Sequence, residues 1–107
     1  MMFWIYYFSY FFGGVFLANA MPHLMSGMMG RSFQSPFAKP PGKGLSSSTV
    51  NVLWGSFNIG VGYLLIVRVG SFDLHSTGDV LAFELGAVLS ALVLARSFGR
   101  FYGGNLV

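Results

Sequence analysis

The sequence predicts an all-α integral membrane protein: three transmembrane helices in a small bundle, N-terminus out and C-terminus in. Three observations point there. Of 107 residues, 54% are hydrophobic and only 8% charged, against roughly 25% charged in soluble domains. Three stretches nearly free of charge, about residues 3–21, 49–69 and 79–102, each come close to the ~20 helical residues that cross a ~30 Å hydrocarbon core. Finally, Arg31, Lys39, Lys43, Arg96 and Arg100 all fall on one side of such an arrangement, and the positive-inside rule makes that side cytoplasmic. Residues 1–107 then form a single transmembrane domain.

The first span is uncharged and carries nine aromatics before Met21. Ala18-Asn19-Ala20 resembles the small-x-small end of a signal peptide, but no Lys or Arg precedes the apolar run, and the run exceeds the usual ~7–15-residue signal core. A retained helix is the expectation. Ser9, Gly13 and Ala20 mark a small-residue side suited to a neighbouring helix. Pro22 can kink this helix or end it near Met21, and the span is drawn to end there.

Beyond it, His23 stands among Met21, Met25, Met28 and Met29. Imidazole plus thioether suits Cu(I), so His23, Met21 and Met25 form a candidate soft-metal or haem site. Methionine filling apolar gaps at an interface explains the same residues without a metal.

Residues 31–48, RSFQSPFAKPPGKGLSSS, form a basic Pro/Gly-rich loop. Its prolines hold it extended and its glycines allow sharp turns. Arg31, Lys39 and Lys43 are placed to meet anionic head groups. Gly42-Lys43-Gly44 is not a phosphate loop, because the spacing and the Ser/Thr after Lys are missing. The six basic residues are scattered and not striped, which argues against nucleic acid as a partner. There is no cysteine, so disulfides and thiolate sites are excluded.

From Asn19 to about Asn58, above all in PFAKPPGKGLSSSTVNVLWGSFN, the chain resembles a group of small bacterial membrane proteins without an assigned activity. The resemblance implies a bacterial inner-membrane location and no mechanism.

The second span opens on hydroxyl residues that can cap a helix. Asn51, Gly55, Asn58 and Gly62 share one helical face. Two amides and two glycines gain nothing from lipid, so that face is expected to meet protein. Arg68 closes the span. In the link that follows, Asp73, His75 and Asp79 could be imagined as metal ligands, but Ser76-x-x-Asp79 has the spacing of a helix capping box. The third span shows Ala87, Ala91 and Ala95 at close-packing intervals. Glu84 is its one intramembrane acid. A short link makes the second and third spans antiparallel neighbours, with Arg68 the natural partner of Glu84.

No catalytic constellation is present, and no motif demands a cofactor. The expected function is a non-enzymatic structural or accessory membrane protein that packs with itself, as a homo-oligomer, or with a larger membrane partner. Two alternatives remain: an oligomeric proton or ion channel or transporter using Glu84, and a Cu(I)- or haem-binding protein using His23 and the nearby methionines.

Overall fold

The computed structural model describes residues 2–106, the side chains of residues 2 and 3 excepted. Helix makes up 70% of the chain. The elements in order are α1 (Met2–Met28), β1 (Phe33–Gln34), β2 (Leu45–Ser46), α2 (Ser48–Tyr63), a π-helical turn continuing α2 (Leu64–Arg68), and α3 (Thr77–Tyr102). The second and third helices are long and apolar enough to cross a membrane. α1 is longer still, but Trp4, its tyrosines and Asn19 dilute its apolar character.

α1 does not stop at Pro22, contrary to the sequence expectation. It runs on to Met28. A proline inside a helix costs about 3 kcal/mol, and packing beyond it makes up the loss. A Cβ on Gly55 would lie 2.8 Å from the Leu24 nitrogen, and one on Gly27 would lie 2.6 Å from the Ser48 carbonyl oxygen. The residues after the proline are therefore held by α2. The helix closes with Gly30 at φ 75°, its N–H donating to the Gly27 carbonyl and that of Arg31 to Ser26, a Schellman-type stop.

Ser47 caps α2, accepting from the Val50 N–H at 3.2 Å. The last turn of this helix widens into a π turn. There the Ser9 hydroxyl of α1 donates to the Leu65 carbonyl, as is usual where a side chain inserts into a helical ladder. Ser76 caps α3 by accepting from the Asp79 N–H at 3.2 Å. The capping box is only half formed, because the Asp79 carboxylate accepts from the Asp73 N–H. Gly103, at φ 79°, ends α3.

α1 lies between the other two helices, while α2 and α3 make few direct contacts. This corrects the expectation that they are neighbours. The reason sits at adjacent positions: Gly13 packs on Ile66, whereas Gly14 packs on the backbone of Phe83 and Ala87. Successive residues are ~100° apart on a helix, so one Gly-Gly pair lets two helices approach from different sides. Gly86 in turn lies against the Phe11 backbone. α2 runs antiparallel to α1, and α3 parallel to it. Ala91 and Ala95, expected at a packed seam, are exposed.

The interior is unusual in kind. Its buried hydrophobic residues are Tyr10 and Ala20, and its buried polar ones are Ser9, His23, Gln34, Ser35, Asn51 and Asn58. Large apolar side chains such as Leu53, Phe57, Leu85 and Leu92 face outward.

Candidate functional site

The buried polar groups concentrate where the basic loop folds back over the ends of the helices. The buried residues of α2 are Asn51, Gly55, Asn58 and Gly62, and all four face α1. Gly55 and Gly62 let α2 approach Leu24 and Leu17, which brings the two amides within reach of α1 polar groups.

Asn51, fully buried, is the centre of the cluster. Its Nδ2 lies 3.2 Å from the carbonyl oxygens of Phe33 and Ser46 and 3.0 Å from that of Ser47. Three acceptors around one amide nitrogen leave Asn51 Oδ1 as an acceptor. It lies 2.8 Å from His23 Nδ1, so His23 donates there. Asn51 thus clips both strands of the loop to α2 and orients the imidazole of α1. Deeper in the bundle, Asn19 Nδ2 donates to Asn58 Oδ1 at 3.0 Å, and Asn58 Nδ2 donates to the Trp54 carbonyl at 2.8 Å.

The loop itself is folded. β1 and β2 pair antiparallel, Phe33 opposite Ser46. The Ser35 and Ser46 hydroxyls are 2.6 Å apart, and the Ser35 carbonyl accepts from the Gly42 N–H at 2.9 Å. The Phe33 ring packs against His23, Phe98 and Tyr102, while the Tyr102 hydroxyl donates to Gln34 Oε1 at 2.9 Å. All three helices are therefore tied to the loop. Gln34 and Phe98 were not singled out from sequence. Gln34 and Ser35 sit in a stretch of Pro, Gly, Ser and Lys, whose composition signals a surface connector whether or not it folds back.

Between loop and helices lies an open pocket of about 390 Å³, with His23, Gln34, Trp54 and Phe98 in its walls. The Trp54 indole N–H is buried without an acceptor, an arrangement that costs about 1–3 kcal/mol. Arg31, Lys39 and Lys43 are exposed on the outer surface of the loop.

The other sequence candidates lie elsewhere. Met21 and Met25 are exposed, whereas His23 is 3% exposed. Positions two apart are roughly 200° apart around a helix, so the thioethers and the imidazole point to different sides and do not form one metal site. No cluster of three His, Cys, Asp or Glu able to hold a metal occurs among the described residues. Glu84 is exposed on α3, as is Arg68 at the end of the π turn. With α1 between their helices, no ion pair joins them among the described residues.

No known protein family, curated protein or solved structure matches the chain.

Proposed function

We propose that this chain is a small, non-enzymatic integral membrane protein. It spans the bilayer three times, with the loop end in the cytoplasm, and serves as an accessory subunit that packs with a second copy or a larger membrane partner. The observation that carries this is the distribution of side chains. Six of the eight buried side chains named above are polar, while large apolar residues cover the outside. Soluble monomers do not expose apolar surface on this scale; in hydrocarbon that surface is solvated and the polar groups satisfy one another inside. Arg31, Lys39, Lys43, Arg96 and Arg100 lie at the loop end, which supports placing that end inside. Glu84, exposed on an apolar helix, supports a partner: a carboxylate in hydrocarbon needs a counter-group.

Alkaline carbonate washing should leave the protein in the membrane pellet. Cysteines at Ser32 and Ser71, both exposed, should differ in whole cells, with a membrane-impermeant maleimide labelling Ser71→Cys and sparing Ser32→Cys. Release into the wash would sink the membrane location; the opposite labelling would invert the orientation. Ser35 does not suit such labelling, being 1% exposed.

A further inference from the structure

Another pocket, of about 470 Å³, opens at the end of the bundle away from the loop and falls in the ~300–1,000 Å³ range of small-molecule sites. It is lined by Tyr6, Tyr7 and Tyr10 of α1, Arg68 of the π turn, Gly70 of the link and Asp79 in the first turn of α3, and most of its wall is polar. Tyr10 is 2% exposed. Phe72 holds its ring edge-on, with centroids 5.1 Å apart, and its hydroxyl sits over Gly70, where a Cβ would have no room. No described residue hydrogen-bonds to that hydroxyl. Among the described residues that are not exposed, only Trp54 has a side-chain nitrogen or oxygen both sealed from solvent and without a partner. The Tyr10 hydroxyl therefore keeps an opening, and the space that Tyr10 lines is this pocket. The same reasoning holds for half-buried Asp79. Its Oδ2 accepts from the Asp73 N–H at 3.0 Å, while Oδ1 accepts from no described residue and stays open. Arg68 is exposed and makes no ion pair or hydrogen bond with a described residue.

Two open acceptors and one unpaired cation thus share a single space, and they discriminate between ligand classes. A bare anion would bring its charge against Asp79, and a bare cation against Arg68. A metal ion would find Asp79 without the further His, Cys, Asp or Glu it needs. A zwitterion answers both charges, its anionic end on the guanidinium and its cationic end on the carboxylate. Arg68 and Asp79 do not pair with each other across the pocket, so the ligand's charges must also stand apart, as they do across the two carbons of ethanolamine. The cationic end has to donate hydrogen bonds to Asp79 Oδ1 and the Tyr10 hydroxyl, which a primary ammonium does and a quaternary one does not. The planar guanidinium fork suits a phosphate, and its five N–H donors leave room for a second acid.

We propose that this pocket binds the phosphoethanolamine group, with the phosphate on Arg68 and the primary ammonium donating to Asp79 Oδ1 and the Tyr10 hydroxyl. The group occurs both free, as in glycerophosphoethanolamine, and as the head of phosphatidylethanolamine.

The test uses the full chain purified in a maltoside detergent, which carries no phosphate, so its outcome does not depend on where the protein resides in the cell. Phosphorus NMR follows titration with glycerophosphoethanolamine and with dihexanoyl phosphatidylethanolamine, each against its choline counterpart. An ethanolamine probe should bind saturably, and its choline counterpart about tenfold more weakly or worse. Saturation by the lipid alone assigns a membrane lipid as the source; saturation by the soluble probe at equal or lower concentration assigns the free group. Asp79→Asn keeps an acceptor for the Asp73 N–H and should abolish the preference for ethanolamine. Should that variant fail to fold, Tyr10→Phe serves: it removes a hydroxyl that bonds to nothing in the fold, so it should weaken ethanolamine binding without lowering the melting temperature. Arg68→Gln should weaken both members of each pair alike, since both carry the phosphate. Equal binding of ethanolamine and choline probes, a preference that survives Asp79→Asn and Tyr10→Phe, or no saturable binding of either ethanolamine probe would overturn the proposal.

Discussion

Asn51 does more for this fold than its size suggests. One amide supplies the donor for the carbonyls of Phe33, Ser46 and Ser47 and the acceptor for His23. Asn51→Leu keeps the volume and strands the His23 N–H and at least two loop carbonyls in a buried place. At about 1–3 kcal/mol per unsatisfied group, the loss should be about 3 kcal/mol or more, and the loop should become open to trypsin at Lys43. Leu53→Ala, on the outward face of the same helix, should change stability by less than about 0.5 kcal/mol. Thermal unfolding in detergent, followed by circular dichroism, compares the two. An Asn51→Leu protein that melts with the wild type and resists protease would show that the cluster does not hold the loop. That Asn51 shares a face with Asn58 was legible in the sequence, since the helical period alone places it there. Its partners were not, because loop carbonyls carry no side-chain signature.

At the scale of the helix, glycine has two opposite roles here, and position decides between them. A Cβ on Gly86 would run into the Phe11 backbone, whereas one on Gly60 would meet nothing within 4 Å. Gly86→Ala should therefore force α1 and α3 apart and cost about 1–3 kcal/mol. Gly60→Ala, in the same kind of backbone but facing outward, should raise stability by up to about 1 kcal/mol, because alanine is the better helix former. Unfolding curves of the two single variants give the comparison, and equal effects would remove close packing as the reason for Gly86. The helices themselves were readable from their apolar runs. The passage of α1 through Pro22 was not, because local propensity argues for a stop there and only the contacts of Leu24 and Gly27 with α2 override it.

For the whole molecule, the position of α1 decides what Arg68 and Glu84 can do. Ile66 packs on Gly13 and Phe83 on Gly14, so the two charges lie within about one turn, ~5 Å, of the same depth along α1. Since α1 separates them, Glu84 of one copy can meet Arg68 only in another. If a second copy is the partner, Glu84→Arg and Arg68→Glu should each weaken self-association about tenfold, the size of a ~1.4 kcal/mol coupling. The two substitutions together should restore it. Co-purification of two differently tagged copies reads this out. Association that is indifferent to all three variants would leave the partner to be another protein.

Composition, the three apolar runs and the asymmetry of basic residues are properties of the chain alone, and from them the sequence determined an all-α protein with its helices in roughly the right places. It also determined the shared register of Asn51, Gly55, Asn58 and Gly62, since a helix converts spacing directly into direction. Tertiary structure alone decided which helix lies in the middle, which methionines turn away from His23, and that a Pro/Gly/Ser loop folds back to bury Gln34 and Ser35. The physical reason is common to all three. Each depends on contacts between residues far apart in the chain, made through backbone carbonyls and glycine Cα surfaces that are chemically alike at every position, so only the packed helices determine which of them meet.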